Sequence, residues 1–246
     1  MRIYSVVNHK GGVGKTTTTA NVAAVLAETS RVLVVDFDPQ AALTACFKVD
    51  VQPDRDIYTT LVSKRPVQKS IYCTPVKNLD IVPAVLELAK LELHLQRKIA
   101  FEQTLKVALK DLQQDYDFVF IDSPPQLGVL TFNSIIAAQR LIVPVQCEFL
   151  AMKGLADLEN ILQEIQISYD HITRKVLFTM YSKGTTHSQN VVDEVRRQFP
   201  SYENIITRTI KFAYSTVEGI PLVVANPDSE QAQQYRRFAE ELRNEQ

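Results

Sequence analysis

Tryptophan is absent, glycine is down to seven residues and cysteine to three in a chain of 246. Cys46, Cys73 and Cys147 are odd in number, far apart and in no CxxC spacing, which excludes a disulfide framework and a zinc site. No window approaches the roughly 18 apolar residues that a bilayer-crossing helix needs. The opening segment, Met1 to Lys10, lacks the apolar core and cleavage site of a secretory signal. An excess of one charge is missing too. Lys and Arg number 27 against 28 Asp and Glu, a net charge of −1, so attraction to nucleic acid or membrane has to come from a local patch. There is no linker, repeat or low-complexity tract. These absences, with 46% hydrophobic and 22% charged residues, lead us to expect one cytosolic domain spanning 1–246.

What is present is an alternation of short apolar runs with helical patterns. Strands are expected at Ile3–Val7, Val32–Val35, Leu79–Val82, Phe118–Ile121, Leu141–Val143 and Val176–Met180. Several are apolar throughout, as in parallel sheets covered on both faces. Helices are expected around 16–28, 85–113, 128–138, 151–167 and 187–199, with a closing helix from Asp228 to Arg243. Leu155, Leu158, Ile161, Leu162 and Ile165 recur at helical spacing as one core-facing stripe. The expected class is therefore α/β, with a doubly wound, mostly parallel sheet flanked by helices.

Three of the seven glycines fall in Gly11-Gly12-Val13-Gly14, followed by Lys15-Thr16-Thr17, directly after the first strand and at the start of the first helix. Small residues there let backbone N–H groups turn towards phosphate oxygens, and the helix N-terminus adds partial positive charge. Lys15 is placed to reach the β- and γ-phosphates, and the Thr16 hydroxyl to complete a Mg²⁺ coordination sphere.

The loop departs from the usual pattern, with His9 at the first glycine position and Lys10 after it. Lys10 to Thr17 resembles the deviant Walker A box of the ParA/MinD family of P-loop ATPases, with Lys10 as its signature lysine. In that family this lysine crosses a nucleotide-sandwich dimer and acts like an arginine finger. Asp36-Phe37-Asp38-Pro39-Gln40 resembles the family's switch segment, though Ala41-Ala42 follows where glycine is common. The resemblance assigns Asp38 to positioning the attacking water and Asp36 to supporting Mg²⁺-bound water. Asp122-Ser123-Pro124-Pro125 resembles the Walker B box, with Asp122 beside the metal. Glu148 stands where the family approaches its dimer-facing helix, as a contact for the partner's Lys10 or ribose, with a plain exposed-loop role equally open. Met180, Pro221 and Pro227 occupy segments like those that line the family's adenine pocket, with plain core and turn roles equally open.

The resemblance is closest to ParA-type positioning ATPases, which bind ATP and Mg²⁺, form ATP-dependent homodimers and hold DNA non-specifically through C-terminal basic residues. Between 171 and 211 the basic residues are Arg174, Lys175, Lys183, Arg196, Arg197, Arg208 and Lys211, against Asp193, Glu194 and Glu203. Such a patch implies salt-sensitive, sequence-independent binding to the nucleoid. The implied partner is an activating adaptor of ParB or McdB type, and the implied cargo a plasmid, a chromosome origin or a protein assembly such as a carboxysome. With the loop starting at residue 10, an autorepressor role through a preceding DNA-reading segment is not expected. The alternative is a MinD-like membrane-associated regulator of cell division. That role calls for a basic, strongly apolar terminal helix, whereas the chain ends Phe238-Ala239-Glu240-Glu241-Leu242-Arg243-Asn244-Glu245-Gln246. An iron–sulfur reductase or an amide-forming ligase of similar ancestry would need cluster cysteines or an added substrate domain, which are not read here.

Overall fold

The runs Val32-Leu33-Val34-Val35 and Phe118-Val119-Phe120-Ile121 have no polar face, and the strands they form, β2 (Val32–Asp36) and β5 (Phe118–Asp122), are buried along their whole length. Such strands need helices above and below. The computed structural model, which describes residues 1–95, 101–148, 151–166 and 172–245, supplies them. In chain order the other strands are β1 (Arg2–Val6), β3 (Tyr72–Cys73), β4 (Leu79–Val82), β6 (Arg140–Gln146), β7 (Thr173–Tyr181) and β8 (Ser201–Thr207). They form one sheet in the order β3-β4-β2-β5-β1-β6-β7-β8, parallel throughout except where β3 pairs with β4.

The chain leaves β1 outward to β2 and β4, returns through β5, and then builds β6 to β8 on the other side. A crevice opens at the carboxyl ends of the strands where that direction reverses. The register sets Val6 level with Asp122 and Asp122 level with Asp36, so two neighbouring carboxylates lie to one side of the point where β1 ends.

One face of the sheet is covered by α1 (Lys15–Leu26) and α11 (Glu230–Asn244), which pack Leu26, Tyr235, Phe238 and Leu242 with Tyr4 and Phe120. The opposite face carries α3 (Ile57–Ser63), α4 (Leu91–Leu95), α5 (Thr104–Leu109), α6 (Val129–Ala137), α7 (Ala151–Gln166) and α8 (Thr186–Gln198). Ser229 caps α11 by accepting from the Ala232 N–H at 3.2 Å. At its other end the Arg2 guanidinium donates to the carbonyls of Leu242 and Arg243 at 2.8 and 3.0 Å, which pins the last helix beneath the first strand. In α7, Leu155, Leu158 and Leu162 are buried as their spacing implies, while the side chains of Ile161 and Ile165 lie outside the described residues.

The single helix expected over 85–113 does not form. Short turns at Leu86–Lys90 and Phe101–Gln103 accompany α4 and α5 instead. Leu88, Leu91 and Leu95, and then Leu105, Leu109 and Leu112, are all buried in one core layer. A straight helix over that span would run about 43 Å and carry one of these stripes past the sheet. The sequence pattern also passes over the short helices α2 (Ala42–Cys46), α3, α9 (Lys211–Glu218) and α10 (Leu222–Ala225), and the edge strands β3 and β8.

Helix α2 starts from Ala41, which sits in the left-handed region at φ 51°. An alanine Cβ is strained there by about 1 kcal/mol. Ala41→Gly is therefore expected to leave stability unchanged or raise it by up to about 1 kcal/mol, although Ala to Gly in an ordinary helix interior costs about that much. Urea unfolding of the two proteins reads the sign.

Candidate active site

The turn from β1 to α1 is built to leave helix N–H groups uncapped. Gly12 and Gly14 take φ values of 73° and 91°, and Gly14 stands at the N-cap with no side-chain cap on the first turn. That leaves the first-turn donors facing the loop, as an anion would need. The loop is held from three sides. Asn8 donates to the Pro144 carbonyl at 2.7 Å, the Gln146 amide to Gly12 O at 3.0 Å, and the Thr179 hydroxyl to Val13 O at 2.9 Å.

Lys15 is buried at 7% exposure, with Nζ 3.3 Å from the Lys10 carbonyl. Burial lowers its pKa, and the charges of Asp122 and Asp38 pull it back up. The Thr16 hydroxyl donates to Asp122 Oδ2 at 2.6 Å, and Thr19 reaches Asp122 Oδ1 at 3.4 Å. Burial first, then the neighbouring Asp36, pushes the Asp122 carboxyl up to about 8. Asp36 is likewise raised by burial to about 6. Thr16 and Asp122 present hard oxygens beside a second buried carboxylate, a donor set that suits magnesium completed by nucleotide phosphates. Among the described residues no cluster of three or more His, Cys, Asp or Glu forms a metal cage independent of a ligand.

The two switch aspartates are used differently. Asp36 accepts from the Thr44 N–H and hydroxyl at 2.8 and 2.7 Å and from the Asp38 N–H at 3.2 Å, so its oxygens already anchor the turn into α2. These contacts give it a structural role at that turn. Asp38 lies partly exposed on that turn, with Oδ1 accepting from the Gln40 N–H at 2.9 Å.

Lys10 and Glu148, read from the resemblance as partners across a dimer, meet within one chain. Lys10 Nζ is 3.2 Å from Glu148 Oε2 and 3.0 Å from Gln146 Oε1. Met180 ends near the loop in an uncommon left-handed conformation, φ 52°, with Sδ 2.8 Å from the Gln146 amide nitrogen. Pro221 is buried in a groove with Thr17, Asn21, Cys46 and Thr216, whereas Pro227 is exposed before α11.

The basic segment does not form one patch. Arg174 and Lys175 stand at the amino end of β7, tied to Glu159 and Glu245. Arg196 donates to the carbonyls of Tyr202 and Glu203, and Arg197 pairs with Glu194. Arg208 and Lys211 lie at the other end, where the Arg208 N–H bonds the carbonyl of Tyr181. Seven strand residues, about 23 Å, separate the two groups. Beside Lys211, Ile210, Tyr214 and Val217 are 73, 64 and 77% exposed, an apolar stripe whose helical spacing alone reads as core. Asn8, Gln146 and Thr179 carry no signal in the sequence because their partners are distant in the chain, and Thr44 none because its bond to Asp36 depends on the turn between them.

The buried carboxylates give a pH signature. Both bind protons more tightly folded than unfolded, so the nucleotide-free protein loses stability as pH rises from about 4 through about 8. Asp122→Asn should therefore raise Tm at pH 8 by about 3 °C or more, with the gain shrinking towards pH 5, and should abolish magnesium-dependent nucleotide binding. Calorimetry across that pH range, with and without magnesium nucleotide, checks both halves.

The sequence profile of the family described as AAA domain matches residues 1–175. The sporulation initiation inhibitor protein Soj of Bacillus subtilis is 37% identical over 247 residues, covering 98% of each chain. The chromosome partitioning protein ParA of Myxococcus xanthus is 34% identical over 98% of this chain and 87% of its own. Among solved structures, the cobyrinic acid a,c-diamide synthase from Mycobacterium smegmatis, with bound ATP analog and magnesium, superposes with a TM-score of 0.85 at 35% identity, covering 98% of this chain and 94% of that one. With the phosphate loop, the Thr16–Asp122 contact and the doubly wound sheet in place, these matches put the chain in the ParA/Soj family of partition ATPases.

Proposed function

We propose that this chain is a slow, partner-stimulated ATPase that pairs over bound ATP and Mg²⁺, holds DNA without sequence preference in the paired state, and so positions or segregates a cargo. The observation that carries this reading is the phosphate loop, with Lys15 buried at its base and Thr16 on Asp122 2.6 Å away, and with Lys10 left at the surface beyond it. Residues Gly11 to Thr17 cradle the phosphates, with Lys15 neutralising the β- and γ-oxygens. Thr16 and Asp122, with Asp36 through water, hold magnesium, which supplies charge neutralisation on those oxygens. Asp38 orients the attacking water, and Lys10 of each copy reaches the phosphates of the other. Met180, Pro221 and Pro227 border the base.

DNA contact falls first to Arg208 and Lys211, which share the carboxyl edge with the nucleotide loop. Arg174, Lys175, Arg196 and Arg197 lie at the far edge and are largely committed to carboxylates and carbonyls. The adaptor is of ParB or McdB type, and the setting is cytoplasmic and nucleoid-associated. Helix α11 spends its apolar residues Tyr235, Phe238 and Leu242 on the core, which favours DNA over a membrane surface as the tether. Among the described residues no helix is long and apolar enough to cross a membrane. The name of the Mycobacterium smegmatis structure raises an amide-forming reading, in which an activated thiol would release nitrogen from a donor. Burial instead pushes Cys147 up to about 12 and raises Cys46, and Asp80 raises Cys73.

Binding to a random-sequence duplex with ATP, with ADP and without nucleotide, across a salt series, tests the proposal. Salt-sensitive binding with ATP alone is expected, and equal binding in all three states would sink it. Lys15→Ala should weaken ATP binding about 10- to 100-fold, and Asp38→Ala should hold the ATP-bound pair without turnover. Lys211→Glu should weaken DNA binding for every sequence and lower the salt slope by about 1 or more.

A further inference from the structure

Lys10 is occupied within its own chain. Its ammonium sits 3.0 Å from Gln146 Oε1 and 3.2 Å from Glu148 Oε2, both on the segment that ends β6. Gln146 is oriented for this by its other end, where its amide nitrogen donates to Gly12 O at 3.0 Å and leaves the oxygen for the lysine. Glu148 is steadied by a second cation, with Arg208 NH2 3.6 Å from Oε1. The Lys10 carbonyl, meanwhile, accepts from Lys15, the lysine at the base of the loop.

We infer that Gln146 and Glu148 are positioning residues that park Lys10 within its own chain until phosphate charge draws it across to a second copy. This rests on the ATP-dependent pairing proposed above and adds a restraint on when it occurs. The pair is 39 and 50% exposed, which makes it weak enough to yield to triphosphate oxygens and strong enough to bias the resting lysine. An exposed ion pair of this kind shifts a local equilibrium about threefold. Two such pairs open per dimer, so together they hold the dimerisation constant back about tenfold.

Two measurements on Glu148→Gln, Glu148→Asp and the parent protein test this. The first is acetylation of Lys10 by dilute acetic anhydride in nucleotide-free protein, read by mass spectrometry against exposed Lys64 and Lys211 as internal standards. Lys10 should label about threefold faster in the Gln variant, and the Asp variant should restore the protection. The second is sedimentation with a non-hydrolysable ATP analogue. The Gln variant should pair at about tenfold lower protein concentration, with a flatter salt dependence.

Equal labelling in all three proteins overturns the inference. Weaker pairing in the Gln variant also overturns it, and assigns Glu148 to a contact between copies instead. Labelling as expected, with no pairing of any variant on the analogue, overturns the pairing function while leaving Lys10 parked within its chain.

Discussion

The 2.6 Å hydrogen bond from Thr16 to Asp122 is the contact on which the site's geometry depends. It joins the first turn of α1 to the last residue of β5, two elements about a hundred residues apart in sequence, at the point where β1 lies between β5 and β6. Its existence requires the parallel register that sets Val6 level with Asp122. It also requires the tight turn through Gly12 and Gly14 that brings α1 back over the strand ends. The apolar strands and the helices covering them are the means of holding that register, since β2 and β5 would be stable in no other setting than one buried on both faces.

The same register imposes an electrostatic cost. Asp36 and Asp122 are direct neighbours on β2 and β5, both fully buried; burial raises the pKa of each, and Asp36 raises that of Asp122 further. A fold selected for stability alone would not put two carboxylates there. Lys15 offsets part of the charge and is itself held towards its neutral form by burial. The arrangement is thus short of positive charge, and a divalent cation with its nucleotide supplies what the protein leaves out. Thr44 deepens that shortage, because both of its donors are spent on Asp36 and favour its ionised form.

What could be read from the sequence follows from how local its cause is. The phosphate loop is legible because glycine, lysine and threonine act there through their own backbone and side chains within eight residues. Six of the strands are legible because each carries a short run rich in apolar residues, several of them apolar throughout. Strand β8 is not, since Ser201-Tyr202-Glu203-Asn204-Ile205-Ile206-Thr207 shows no clean pattern until Glu241 of α11 is seen accepting from the Glu203 and Asn204 N–H groups. Gln146 is silent for the same reason, as its partners Lys10, Gly12 and Met180 come from two other segments. The basic stretch misleads because a count along the chain ignores the length of β7, which places Arg174 and Arg208 at opposite edges of the sheet.

That division leaves Arg208 and Lys211 beside the nucleotide loop. Helix α9 starts at Lys211, next to Arg208, and packs against α2, which itself begins where the Asp36–Gln40 turn ends. Cys46 of α2 contacts Thr216 of α9 at 3.9 Å. Arg208 is tied in turn to Glu148, and through it to Lys10. The switch turn, the signature lysine and the cationic corner are therefore joined by direct contacts on one rim of the sheet. A DNA contact made at this corner meets the nucleotide loop over one or two side chains, whereas the same contact made at Arg174 or Arg197 would have to act through the full length of β7.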